Sequence, residues 1–129
     1  MRLVLDTNTY RLVMDGDADA VRLVRTCDAV LMPIPVIAEL RVGFLHGTKG
    51  QRNEATLARF LDAPRVQVLP CDEGTTPIYA SLKLQLKRRG TPIPINDVWI
   101  AALVLQHNGV LFTRDSDFDR LPQLPRVPV

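Results

Sequence analysis

Four acidic residues stand where a folded chain could bring their side chains together. They are Asp6, Glu39, Asp97 and Asp115. Two of them come after short apolar runs typical of strands (residues 2–5 and 110–113), one comes shortly after a third such run (30–32), and one precedes a long apolar stretch (98–105). In an open parallel α/β sheet, the carboxyl ends of the strands and the adjoining helix starts face one crevice. The pattern therefore predicts a cluster of four carboxylates.

Such a cluster needs a compensating charge. Two unit charges about 4 Å apart repel by roughly 4 kcal/mol at an effective dielectric constant near 20. Close carboxylates must therefore bind a cation or hold protons. The pattern contains oxygen ligands without histidine or cysteine, which favours a hard cation, Mg²⁺ or Mn²⁺. Metal ions in such sites activate water and stabilise a leaving oxygen, so the predicted chemistry is phosphodiester hydrolysis.

Strand-like and helix-like segments alternate along the chain. Strands are predicted at residues 3–5, 30–32, 66–69 and 110–112, and helices at 17–27, 35–47, 53–61, around 78–89 and at 98–105. The segment between the first strand and Asp17 is expected to be rich in turns. Pro125 and Pro128 would confine a short final strand near residues 126–129 to an edge of the sheet. The alternation predicts an α/β fold with a central, mainly parallel sheet of four to five strands.

Length and composition fit one globular domain spanning residues 1–129, with 47% hydrophobic and 23% charged residues. No apolar run approaches the roughly 20 residues of a transmembrane helix, and we expect a cytoplasmic protein without a signal peptide. Cys27 and Cys71 form no C-x-x-C pattern and are interpreted as free thiols. The net charge of +2 identifies no partner. A basic run at residues 83–89 is interpreted as a solvated helix face.

Four short motifs carry a resemblance to a known family. They are Leu5-Asp6-Thr7-Asn8, Ile37-Ala38-Glu39-Leu40, Asn96-Asp97-Val98-Trp99-Ile100-Ala101-Ala102 and Thr113-Arg114-Asp115-Ser116-Asp117-Phe118. Together, in this order, they resemble the motifs of PIN-domain ribonucleases, and their spacing and the chain length look most like the VapC toxins of prokaryotic type II toxin–antitoxin pairs. The resemblance extends from Leu3 to about Leu124. It implies a PIN-like three-layer α/β/α sandwich.

The resemblance also implies roles for individual residues and partners. It places Asp6, Glu39, Asp97 and Asp115 in a catalytic, metal-binding pocket, with Asp117 as a fifth acid and Thr7, Asn8 and Thr113 as supporting polar groups. The implied activity is an Mg²⁺- or Mn²⁺-dependent endoribonuclease that acts as a toxin. A VapB-like antitoxin would place a basic side chain in the pocket. Surplus apolar residues at 34–44 and 53–61 lead us to expect a homodimer.

Other interpretations remain open at this stage. Each acid alone could be structural: Asp6 as a strand-end turn residue, Glu39 as a solvated helix residue, and Asp97 as the N-cap of its helix. The chain could also be a PIN nuclease that processes RNA without an antitoxin. A phospho-receiver domain is a third alternative, although it would need two adjacent acids after the first strand, where this chain has Asp6 followed by Thr7. Tyr10 could contact an RNA base, whereas Trp99 is expected in the core.

Overall fold

A computed structural model describes residues 1–128. Its four strands are β1 (Arg2–Leu5), β2 (Ala29–Pro33), β3 (Val66–Leu69) and β4 (Val110–Phe112). Its six α-helices are α1 (Thr7–Met14), α2 (Ala18–Thr26), α3 (Ile34–His46), α4 (Gly50–Leu61), α5 (Thr75–Arg89) and α6 (Ile95–Gln106), followed by a short 3₁₀ helix (Ser116–Arg120). Within the described residues, no helix is both long and apolar enough to cross a membrane.

The strands form one parallel sheet in the order β3-β2-β1-β4. Right-handed crossovers place α1 to α4 on one face of this sheet and α5 and α6 on the other. The central strand β1 is buried from Leu3 to Leu5, and β2 is buried throughout its length. Covered on both faces, these strands are continuously apolar, as parallel strands usually are. The predicted three-layer α/β/α fold is confirmed.

The predicted fifth strand is reduced to a single bridge. Leu111 pairs in parallel with Arg126, and the backbone N–H of Val127 donates to the Leu111 carbonyl at 2.9 Å. Proline on either side of this segment removes the backbone donors that a longer ladder would need. The last residue of the predicted strand, Val129, lies outside the described residues.

The segment after β1 is a helix, so the prediction of a turn-rich segment there is wrong. Asp6 and Thr9 form a capping box at the start of α1: an Asp6 carboxylate oxygen accepts from the Thr9 N–H at 2.9 Å, and the Thr9 hydroxyl accepts from the Asp6 N–H at 3.0 Å. The usual partner at the third helical position is Glu or Gln. A threonine in its place, followed by only two turns of helix, left a weak signal in the sequence.

The start of α6 also differs from the prediction. Helix α6 begins at Ile95 with Pro94 as its N-cap, so Asp97 lies inside the first turn and does not cap the helix. The N–H groups of Asp97 and Val98 instead donate to the Pro94 carbonyl. At the 3₁₀ helix the cap is Asp115, whose carboxylate accepts from the Asp117 N–H at 2.9 Å. In both places the acidic residues are left facing the end of the sheet.

Other local predictions are confirmed. Gly90 ends α5 in the left-handed conformation at φ +66, which glycine adopts without a steric penalty. Both cysteines are free, with Cys27 buried and Cys71 exposed. The expectation that Trp99 lies in the core is not met, because its side chain is only partly buried. Trp99 instead stacks on Tyr79 with the ring centroids 3.9 Å apart and so joins α6 to α5.

Candidate active site

The site begins at the boundary between β1 and β4. These strands are parallel neighbours with Leu5 opposite Phe112, so Asp6 and Thr113 follow from adjacent strand ends. The chain leaves β1 towards β2 on one side, while β4 pairs on its other side. Such a switch point opens a crevice at the carboxyl ends of the strands. The Thr113 hydroxyl donates to Asp6 Oδ2 at 2.5 Å across this boundary.

Asp6 is held firmly from both sides. Its side chain is buried, with 6% of the residue exposed. While Thr113 contacts one carboxylate oxygen, the hydroxyl and N–H of Thr9 each lie 2.9 Å from the other. The Thr9 hydroxyl is also 2.9 Å from the Phe112 carbonyl, which ties α1 to β4. Thr9 is a site residue that the sequence analysis missed, and its spacing of three from Asp6 was the available signal.

Glu39 is positioned by two other helices. The Thr7 hydroxyl of α1 donates to Glu39 Oε2 at 3.0 Å, and the Asn96 side-chain amide of α6 donates to Oε1 at 3.0 Å. Both carboxylate oxygens are therefore fixed, and three helices meet at one side chain. Thr7 was predicted as a supporting group. Asn96 lies within a predicted motif, but it was not named as a site residue.

The remaining three acids lie close together. Carboxylate oxygens of Asp97, Asp115 and Asp117 all lie within 4.8 Å of one another. The backbone N–H of Asp115 donates to the Thr113 hydroxyl at 3.0 Å, and this hydrogen bond fixes the position of Asp115. Asp117 lies 3.7 Å from the guanidinium of Arg120. The structure thus brings together side chains from β-strand ends, α6 and the 3₁₀ helix.

Asp97 is the electrostatic centre of this group. Burial, followed in order of size by the charges of Asp115, Glu39, Asp117 and Asp6, raises the pKa of its carboxyl from 3.8 to about 7. A carboxyl surrounded by four others is stable as an anion only with a compensating positive charge. The geometry therefore favours either a proton or a cation at Asp97.

Asp6, Glu39, Asp97 and Asp115 line a cleft of about 530 Å³, whereas Asp117 and Thr113 are not part of its wall. Its walls are formed by Asp6, Thr7, Asn8, Arg11, Glu39, Val42, Gly43, Asn96, Asp97, Ile100 and Asp115. No histidine or cysteine is among these described lining residues, so the donor set consists of oxygen atoms and fits a hard divalent cation. Asn8 lies in the wall as predicted. Arg11 was not predicted, because a single arginine on a helix carries no distinctive pattern.

Tyr10, named above as a candidate contact for an RNA base, does not line the cleft. Tyr10 is 3% exposed and packs edge-on against Phe60 with the ring centroids 5.4 Å apart. This leaves no open ring face on which an RNA base could stack, so Tyr10 is a core residue.

The fold and the cleft together define a class: doubly wound α/β proteins with a carboxylate centre at the switch point of the sheet. The model of the PIN domain family matches residues 3–124, and the chain belongs to this family. Among curated proteins, ribonuclease VapC5 of Mycobacterium tuberculosis is 30% identical over 132 residues, covering 98% of this chain and 92% of that protein. Ribonuclease VapC1 of Haemophilus influenzae strain R2866 is 31% identical over 131 residues, covering 96% and 95%.

Solved structures agree with these sequence relatives. The chain superposes on VapBC2 from Rickettsia felis, crystallised with a DNA fragment from its promoter, with a TM-score of 0.84 and 26% identity over 98% of both chains. VapBC-1 from nontypeable H. influenzae gives a TM-score of 0.84 and 28% identity, covering 98% and 97%. The resemblance to PIN-domain proteins of the VapC type is therefore confirmed.

Proposed function

We propose that this protein is a metal-dependent endoribonuclease and the toxin of a type II toxin–antitoxin pair, acting in the cytoplasm. The observation that carries the proposal is the packing of Asp97 among four other carboxyl groups in an open cleft. Ordinary structural roles do not require five acids at one strand switch point. Relatives named as VapC ribonucleases, aligned over nearly the whole chain, support RNA as the substrate.

Asp6, Glu39, Asp97, Asp115 and Asp117 would hold Mg²⁺ or Mn²⁺, since their oxygens suit hard cations. When bound, such an ion supplies an activated water and charge stabilisation for the leaving oxygen. The protein's own part is to keep these carboxylates in fixed positions. Thr9 and Thr113 do so for Asp6, and the pair of bonds to Glu39 does so on the opposite wall.

Phosphate binding would be assisted by the start of α6. Asn96 and Asp97 of its first turn line the cleft. The N-terminus of a helix carries partial positive charge and backbone N–H groups that favour an anion. An RNA phosphate could therefore approach the acidic centre from this side without facing carboxylates alone.

A groove between α3 and α4 is the proposed docking site for the antitoxin. It has a volume of about 1130 Å³ and is lined by residues of both helices, among them Phe44, Leu45, Ala55 and Ala58. Leu45 is 87% exposed, which is unusual for a large apolar side chain without a partner. An amphipathic helix would bury this surface, and a basic side chain beyond it could pair with Glu39 or Asp115 in the cleft.

A second copy of the chain is a further proposed partner. Ile34 at the start of α3 and Ile95 at the start of α6 are 43% and 57% exposed. Exposed apolar side chains of this kind favour self-association into a homodimer. Sedimentation or light scattering of the purified protein would test this, and a monomer at all concentrations would contradict it.

The proposed function is tested by RNA cleavage and by bacterial growth. Purified protein should cleave RNA with Mg²⁺ or Mn²⁺ and stop when the metal is chelated, and its induction alone should arrest growth. Co-expression of a small protein encoded beside it should restore growth. Metal-dependent cleavage without growth arrest would favour the alternative of an RNA-processing PIN nuclease, and absence of cleavage would contradict both.

A further inference from the structure

One positively charged side chain, that of Arg11, lies in the wall of the acidic cleft. Arg11 of α1 is exposed and lines the cleft together with the acids. Within residues 1–128 its guanidinium forms no salt bridge and donates no hydrogen bond, although carboxylates line the same cleft. The described ion pairs involve other arginines, such as Arg41 with Glu54, or the N-terminal amine with Asp28. Its charge therefore remains available to a ligand.

Gly43 of α3 makes room for this side chain. A Cβ atom added at Gly43 would lie 2.9 Å from Arg11 Nη2, which is too close for a real contact. The guanidinium thus crosses α3 at the point where that helix has no side chain. A side chain at this position would make the flexible end of Arg11 shift, because the two atoms cannot remain so close.

Beyond this crossing lies a second, smaller hollow. It has a volume of about 270 Å³ and is lined by Tyr10, Arg11, Met14, Asp15, Gly43, Phe44, Asn53 and Thr56. Tyr10 is only 3% exposed, so Phe44 and Asn53 are the groups there that a base could contact. This volume lies below the roughly 300–1,000 Å³ of pockets for drug-sized ligands, so it suits a group the size of one nucleobase. Proteins bind unpaired RNA bases by stacking on aromatic rings and by hydrogen bonds to the base edges. In the hollow, the half-buried Phe44 could provide the stacking surface and the exposed amide of Asn53 the hydrogen bonds.

We propose that Arg11 binds the RNA phosphate next to the scissile one and that the hollow behind it receives the adjoining unpaired base. This inference rests on the proposed ribonuclease function and extends it to substrate positioning. Arg11 presents a planar fork of donors that matches phosphate oxygens. Placed between the acidic centre and the hollow, it would hold the strand in one register and would act as a positioning residue.

The first test separates binding from cleavage. Arg11→Ala should raise KM for a short single-stranded RNA by roughly tenfold, as expected for one lost charge-assisted hydrogen bond, while kcat changes much less. The salt dependence of binding should weaken by about 0.7 in the log–log slope, the value per phosphate contact in single strands. Arg11→Lys should recover the slope. Arg25→Ala, an exposed arginine near the end of α2, is the matched control and should behave as wild type.

Two further variants test the geometry. Gly43→Ala keeps the charge but displaces the guanidinium, so it should raise KM in the same direction as Arg11→Ala. With a randomised RNA pool, Asn53→Ala should alter the base preference at one position beside the cut, whereas Gln67→Ala, which removes an exposed amide on β3, should not. Gln67 lies outside the cleft, the α3–α4 groove and the hollow.

The outcomes distinguish this inference from the proposed function. If wild type cleaves RNA and Arg11→Ala retains its KM and salt slope, the inference is wrong and the ribonuclease proposal stands. If wild type binds RNA in an Arg11-dependent manner without cleaving it, the ribonuclease proposal falls, and with it the position beside a scissile phosphate, while the Arg11–phosphate contact stands. A wild type that neither binds nor cleaves RNA would overturn both.

Discussion

At the scale of single residues, the site consists of acids and of the groups that hold them. Asp6 and Glu39 have both carboxylate oxygens fixed by hydroxyl, amide or backbone donors. Asp97 has a different environment, since burial and four neighbouring acids raise its pKa to about 7. Asp6 and Glu39 are thus fixed on two sides of the site, and Asp97 is unfavourable as an unpaired anion. This arrangement is expected for a site that binds a cation.

Replacing single acids should therefore abolish activity without unfolding the protein. We expect Asp6→Asn and Asp97→Asn each to lower RNA cleavage by more than about 100-fold, since metal ligands matter at least as much as their outer-shell partners. Circular dichroism should show an unchanged fold. Asp62→Asn, which changes an exposed acid at the end of α4, is the control and should cleave normally. Near-normal cleavage by either site variant would refute the assignment.

At the scale of elements, the apolar runs were informative because parallel strands are buried on both faces. Such runs and helical periodicity predicted the four strands and five of the six helices. The order of these elements also predicted that acids at strand ends meet at one crevice. Helix α1 was not predicted from the sequence. Its capping box uses Thr9. The Thr9 side chain contacts Asp6 and the Phe112 carbonyl, and these contacts depend on the tertiary structure. The start of α6 was misplaced because Pro94, not Asp97, occupies the cap.

The contacts around the acids and around Arg11 could not be predicted from the sequence for the same reason. Spacing along a sequence identifies which acids can meet, but it does not show that Asn96 bonds Glu39 or that Gly43 opens space for Arg11. Those contacts depend on how α1, α3 and α6 pack against one another.

The double role of Thr9 can be tested at this scale. Thr9→Val keeps the size of the side chain but removes the hydroxyl that caps α1 and contacts Asp6 and Phe112. Because it leaves buried polar groups without a partner, we expect a loss of about 1–3 kcal/mol in the free energy of unfolding, measured by urea denaturation. RNA cleavage should fall as well. Thr26→Val, which removes an exposed hydroxyl on α2, should leave both nearly unchanged; equal effects would contradict the argument.

At the scale of the whole molecule, the acidic centre should couple stability to pH. The pKa of Asp97 is raised from 3.8 to about 7 on folding, so its stabilising contribution is fully present below about pH 4 and is lost as pH rises through about 7. Metal-free protein should therefore melt at a lower temperature at pH 8 than at pH 5, apart from the contributions of other groups. Asp97→Asn should flatten this difference, and an unchanged difference in that variant would contradict the origin proposed here.

Metal binding should reverse that trend, because cation and proton compete for the same carboxylates. A ligand that binds only the folded state stabilises it by RT ln(1 + [L]/Kd), about 2.7 kcal/mol at a 100-fold excess over Kd. Added Mg²⁺ or Mn²⁺ should thus raise the melting temperature at pH 8 by several degrees. The gain should shrink below pH 7, where Asp97 takes up a proton. Thermal melts of wild type and Asp97→Asn, each with metal or with chelator, measure this directly. A wild-type melting temperature that ignores millimolar metal at pH 8 would mean that the acids do not form one cation site, whereas a gain that survives in Asp97→Asn would place the cation elsewhere on the molecule.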